Sequence, residues 1–174
     1  MITLEVARVS TPIGPIVLYA RGDTLIGLEF ADRSGRVGSL EARLRRHLGA
    51  IETRDVPDPA GAAARLRAYF GGNPHALDDQ VVEMLGTEFE RSVWRQLRRI
   101  PVGKTISYTQ LAGRVGRPNA PRAVGQANGR NPVALFVPCH RVIAADGTLG
   151  GYGGGLDRKR MLLTLEGALE PALV

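Results

Sequence analysis

A single cysteine, Cys139, among 174 residues leaves this chain no internal disulfide and no multi-cysteine zinc cage to fold around. Its stability has to come from a packed core, and 44% hydrophobic residues are ample for one domain or two small ones. The same cysteine usage suits a reducing interior. No apolar run approaches the length of a membrane span. Met1-Ile2-Thr3-Leu4-Glu5 also lacks the basic-then-apolar layout of a signal peptide. The expectation is a soluble cytoplasmic protein with no membrane partner.

Hydrophobic spacing divides the chain. Leu4, Val6 and, after a change of phase, Val9 begin a strand pattern; Ile16–Ala20 and Thr24–Phe30 flank the turn Arg21-Gly22-Asp23. From Val37 the spacing becomes helical, with Val37, Leu40, Leu44 and Leu48 on one face. Asp55–Pro59 breaks the chain, a short helix runs from Ala62 to Phe70, and Asn73–Leu85 reads as an interdomain connector. Domains are therefore expected at 1–83, a scaffold with a small antiparallel sheet, and 84–174.

The second half is mainly helical. Thr87-x-x-Glu90 and Ser107-x-x-Gln110 are capping boxes, and Ile106 with Leu111 can staple the second. The first helix ends at Pro101 and the second at Gly116. Asn119 is expected to cap a third, from about Ala120 to Gly129. Two short helices joined by a tight turn suggest a helix-turn-helix. After Pro132 the chain reads as extended through Cys139. Asp146-Gly147 then turns a hairpin between Arg141–Ala145 and Thr148–Leu149, which would serve as a wing. Gly150–Gly155 leads into a last helix, Leu156 to Glu166, stopped by Gly167.

Charge follows the same division. Residues 1–83 are nearly neutral, with a net charge of −1, and residues 84–174 carry +7. An electropositive half beside a neutral one favours a polyanion, nucleic acid above all, as partner. Ala120, Pro121, Arg122, Ala123 and Gly125 give the third helix a small face with one long cation. Such a face suits close approach to a minor groove, where a single Arg122 can fill a gap in the base stack.

Chemistry concentrates around Phe136-Val137-Pro138-Cys139-His140-Arg141-Val142. A cysteine attacks as its thiolate and needs a nearby base or cation. His140 is the obvious base, but neighbours on an extended strand point to opposite faces, so a bridging water or a bend at Pro138 has to connect them. Glu166, at the negative end of the last helix, is an acid in an unfavourable place, for which a protonated histidine is a suitable partner. Gly150–Gly155 lacks the Lys-Ser/Thr ending of a phosphate loop and reads better as backbone that approaches a ligand closely.

The runs Ile106-Ser107-Tyr108, Arg122-Ala123-Val124-Gly125, Gly129-Arg130-Asn131-Pro132, Pro138–Val142, Tyr152–Leu156 and Leu162–Gly167 closely resemble the O6-alkylguanine-DNA alkyltransferases, the methylated-DNA–protein-cysteine methyltransferases. Residues 1–85 match only in general layout. The resemblance implies an α+β protein, with a ribonuclease-H-like N-terminal α/β domain and a mainly helical, winged helix-turn-helix C-terminal domain. It implies suicide repair of O6-alkylguanine, and of O4-alkylthymine, in duplex DNA by a monomer able to cluster along it, without cofactor or metal. Cys139 is then the acceptor, His140 its base through a water, and Glu166 the group orienting His140. Tyr108 donates to guanine N3, and Asn131 holds the turn before the active-site segment. Val142, Tyr152, Gly153 and Gly154 line the base pocket, with Arg122, Ala120, Ala123, Gly125 and Arg130 on DNA. Base flipping is required because the stacked duplex hides the reacting atom. Gly153 stands where the family often has serine, and Pro121 where it has a small residue.

Three rival readings make different predictions. A lesion-sensing relative without repair activity would lack the thiol. A cysteine hydrolase would turn over repeatedly, and a winged-helix regulator would bind one sequence and leave Pro138–Val142 without a purpose.

Overall fold

Apolar alternation over the first thirty residues produces three antiparallel strands, β1 (Ile2–Thr11), β2 (Gly14–Arg21) and β3 (Thr24–Phe30). This computed structural model describes residues 1–171. β1 pairs with β2 from Glu5↔Ala20 to Thr11↔Gly14, and β2 with β3 from Ile16↔Phe30 to Arg21↔Thr24. Gly22, at φ +63°, supplies the left-handed residue that the tight β2–β3 turn needs.

A fourth strand, β4 (Ile51–Asp55), corrects the expectation of a purely antiparallel sheet. It runs parallel to β1, in register Ile2↔Ile51, and gives the order β3-β2-β1-β4. Ile51 is its only buried residue, because an edge strand shows most of its side chains to solvent and leaves no alternating pattern to read. Helix α1 (Arg36–Leu48) connects β3 to β4 and sets Leu40 and Leu44 on Leu4, Val17, Tyr19, Ile26 and Ile51. Helix α2 (Ala62–Phe70) buries Ala62, Ala63, Leu66 and Tyr69 and packs against β1. The supposed connector 73–85 is partly sheet edge: Leu25 N–H donates to Val81 O (3.0 Å) and Glu83 N–H to Leu25 O (3.0 Å).

By chain packing, Met1–Gly86 forms one unit together with Pro132–Phe136, whose Pro132 carbonyl accepts from Leu28 N–H at 2.9 Å. The other unit holds Thr87–Asn131 and everything described from Val137 onward. There α3 (Glu88–Leu97) opens with the Thr87/Glu90 capping box and buries Val93, Trp94 and Leu97. After the two-residue strand β5 (Ile106–Ser107), α4 (Tyr108–Arg114) opens with the Ser107/Gln110 box. Gly116, at φ +73°, ends it. Helix α5 (Pro121–Gly129) is fixed to α3 by Trp94 Nε1 donating to Ala127 O at 2.8 Å.

Asn119 does not cap α5. Pro121 occupies the first helical position and drives the residue before it out of helical geometry, so Ala120 becomes the boundary, with no side-chain cap. The wing is also smaller than expected. β6 (Val142–Ile143) pairs in parallel with β5, and the chain beyond it only turns, with Ala144 N–H donating to Thr148 O at 2.9 Å. Helix α6 (Leu156–Leu165) ends at Glu166 and Gly167 (φ +78°), where Ala168 N–H donates to Leu163 O (2.8 Å) and Gly167 N–H to Thr164 O (3.1 Å). These paired bonds satisfy the carbonyls left over at the helix end.

Candidate active site

Cys139 is set by a carbonyl shared between two donors. Asn131 Nδ2 donates to Val137 O at 2.6 Å, and Cys139 N–H donates to the same oxygen at 2.8 Å. The buried Asn131 thus holds the turn after α5 against the residue on which the cysteine's backbone is hung. Pro138 bends the chain (φ −82°, ψ 69°), and Cys139–Arg141 form a single 3-10 turn closed by Arg141 N–H to Pro138 O at 3.1 Å. The expected extended course through Cys139 is therefore corrected. On such a turn successive side chains diverge by about 120°, not by the half-turn of a strand. Proline makes the difference.

His140 is fully buried. Its Nε2 lies 2.8 Å from Glu166 Oε1, and its Nδ1 has no hydrogen-bond partner among the described residues. Glu166 also faces Arg141, whose Nε donates to Oε2 (2.9 Å) and Nη2 to Oε1 (2.9 Å), while Nη1 donates to Ile100 O (2.7 Å). Burial by itself would raise the Glu166 pKa, but His140 and Arg141 override it and hold the carboxyl down at about 2. Burial pushes His140 below its ordinary value; Glu166 opposes this, and Arg141 and Lys159 reinforce it. The imidazole is thus neutral. An ionised carboxylate only accepts, so Nε2 carries the proton and Nδ1 keeps a lone pair. Glu166 thus has the expected histidine as partner, together with a buried cation that was not expected, Arg141.

Lys159 is the second group that sequence reasoning passed over. It is fully buried, and Nζ donates to Val142 O (2.6 Å), Leu149 O and Gly151 O (3.1 Å). These carbonyls lie on both sides of the 144–148 turn, so one ammonium ties the ends of that loop together. Burial lowers its pKa to about 8, against the pull of negative charge at Cys139. Only two of the 23 basic residues are lysine, Lys104 and Lys159, a rarity that singles out the pair but not the buried member, since Lys104 is exposed. Arg141 gave no comparable signal among so many arginines.

Tyr108, at the start of α4, fits between two glycines. A Cβ at Gly150 would lie 3.1 Å from Tyr108 Cε2, and one at Gly125 would lie 3.5 Å from Cδ1. Its hydroxyl is 3.5 Å from Gly151 O, and Lys159 Nζ is 5.9 Å from the ring centre. Burial first, then negative charge at Cys139, raises the Tyr108 pKa. The residue is a phenol that donates. Tyr152, Gly153 and Gly154 continue the loop, closed by Gly155 N–H to Tyr152 O at 3.0 Å, with Arg158 Nη1 on Gly154 O at 3.2 Å.

On α5, Arg122 and Ala123 are exposed, Ala120 and Gly125 half-buried, and Val124 and Ala127 face inward. Arg130 is exposed and pairs with Glu90 at 3.5 Å. The sequence-derived residues Cys139, His140, Glu166, Tyr108, Asn131, Val142 and the glycine loop all lie within this one unit.

Residues 88–168 match the family model described as the DNA-binding domain of 6-O-methylguanine DNA methyltransferase. The chain is 42% identical to the methylated-DNA–protein-cysteine methyltransferase of Mycobacterium tuberculosis, covering 94% of this chain and 93% of that one. The chain belongs to this family. The methyltransferase of the same name from Shigella flexneri is 42% identical over 97% of this chain and 99% of its own length. Among solved structures, Mycobacterium tuberculosis OGT in complex with DNA superposes with a TM-score of 0.77 at 39% identity, covering 96% of this chain and 94% of that one. The O6-methylguanine-DNA methyltransferase of the archaeon Pyrococcus kodakaraensis gives 0.67 at 27% identity, covering 94% and 99%. These matches extend over both units of this family member, well beyond the part that carried the resemblance in sequence. No described helix is long and apolar enough to cross a membrane.

Proposed function

We propose that the protein repairs O6-alkylguanine in duplex DNA, and O4-alkylthymine by the same chemistry, by moving the alkyl group irreversibly to Cys139. The observation that carries this reading is the buried imidazole one residue from the only thiol. Its Nε2–H is committed to Glu166, and its Nδ1 is left able to accept a proton.

The thiol proton passes through a bridging water to Nδ1. The sulfur attacks the alkyl carbon, a C–S bond forms, and the C–O6 bond breaks with its electron pair remaining on guanine. The Tyr108 hydroxyl donates to guanine N3 as that charge grows, and the loop N–H groups of Tyr152–Gly154 face the leaving base. Asn131 keeps the Val137 carbonyl, and with it the cysteine backbone, in place. No cofactor enters, since sulfur and substrate supply both reacting partners. A thioether is not reversed by thiol exchange, so each molecule acts once.

DNA recognition is assigned to residues 84–174, read as a winged helix-turn-helix with α5 in the minor groove. Ala120, Ala123 and Gly125 allow close approach, Arg122 replaces the flipped base, and Arg130 contacts the backbone. Residues 1–83, with their ribonuclease-H-like order of strands and helices, act as scaffold. The protein works as a cytoplasmic monomer. Cys139→Ala is the direct test: it should accept no methyl from methylated duplex while keeping its DNA affinity. Methyl transfer by that variant would refute the assignment.

A further inference from the structure

Glu166 accepts from two side chains, and only one of them is the base. We infer that Arg141 is a positioning residue for the transfer: its guanidinium, anchored on the Ile100 carbonyl and both Glu166 oxygens, fixes the carboxylate and keeps His140 neutral. This rests on the reading of Cys139 and His140 given above.

The argument is one of charge in a closed space. The side chains of His140 and Glu166 are fully buried, and that of Arg141 is 7% exposed. The charged groups facing His140 are Glu166 and Lys159 from α6 and its end, and Arg141 from its own turn. With Arg141 in place the carboxylate is already neutralised, and a protonated His140 would add an uncompensated buried cation beside Lys159. Without Arg141, a proton on His140 becomes the cheapest way to neutralise Glu166. Nδ1 would then be an N–H donor, unable to take the thiol proton.

Geometry requires the fork as well as the charge. Oε1 accepts from both His140 Nε2 (2.8 Å) and Arg141 Nη2 (2.9 Å), and Oε2 from Arg141 Nε (2.9 Å), so the guanidinium sets the plane in which the carboxylate meets the imidazole. A lysine carries the charge but cannot grip both oxygens in one plane.

The test pairs a rate with a titration. Methyl transfer to Cys139 is measured across pH for wild type, Arg141→Lys, Arg141→Met and the double variant Arg141→Met/Glu166→Gln. The His140 ring is followed by NMR, where it is one of only three histidines. Arg141→Met should raise the pH at which His140 titrates and move the rate profile to higher pH. Its neutral-pH rate should fall at least ~10-fold, and by no more than the ~10²–10⁴ that general-base catalysis contributes. The double variant should return His140 to the neutral form. Arg141→Lys should leave the profile in place and lower its plateau. If Arg141→Met does not fold, the Arg141→Lys plateau and the double variant's titration decide. Wild-type profiles and plateaus in the folded variants would overturn the inference. A wild-type protein that never methylates Cys139 would instead overturn the proposed function, and the His140 titration would still test Arg141.

Discussion

Glu166 sits where a helix presents its own partial negative charge, and burial there would ordinarily drive a carboxylate to take up a proton. It stays ionised because two donors from the Cys139–Arg141 turn converge on it. That has a consequence for stability. Its pKa is held at about 2, against an ordinary 4.5, so the folded state binds fewer protons than the unfolded one between those values. This contribution, of order 3 kcal/mol for a shift of that size, is present above about pH 4.5 and lost as the pH falls through about 2. Between about pH 4.5 and 2 the wild type should therefore lose more stability, measured from its own neutral-pH value, than the Glu166→Gln variant, which has no carboxyl to titrate there. Identical acid dependence of the two proteins, followed by circular dichroism, would count against the ionised pairing. The unfavourable position of Glu166 was legible in the sequence; Arg141 as the answer to it was not. Which arginine closes on a carboxylate 25 residues away is decided by the fold.

Among the elements, Tyr108 depends on two glycines in different places, Gly125 within α5 and Gly150 in the loop. Gly150→Ala would put a methyl 3.1 Å from the ring at a position already at φ +70°, so it should both strain the loop and displace the phenol. Alkyl transfer should slow while affinity for unmodified duplex stays near wild type; unchanged transfer kinetics would remove Tyr108 from the chemistry. Both capping boxes and the α6 stop were readable because each is a local pattern, complete within four or five residues. β4 and the 3-10 turn were not. One is held by backbone bonds to a strand 49 residues earlier, and the other by a proline bend and the Val137 carbonyl that Asn131 secures. Local propensity carries little trace of either.

For the molecule as a whole, the charge division visible in the sequence separates nearly neutral residues 1–83 from basic residues 84–174, which carry the exposed Arg122 of α5. Duplex affinity should fall steeply with salt and vary little with sequence, as binding through phosphates requires. Arg122→Ala should weaken repair in duplex more than attack on the free modified base, because extrusion is needed only in the duplex. Equal losses on both substrates would remove that role. The central claim concerns one atom. Incubated with a defined amount of O6-methylguanine duplex and digested, the protein should yield a peptide containing Cys139 heavier by one methyl group, at no more than one per molecule. A Cys139 peptide of unchanged mass, or more lesions repaired than protein molecules present, would contradict the account.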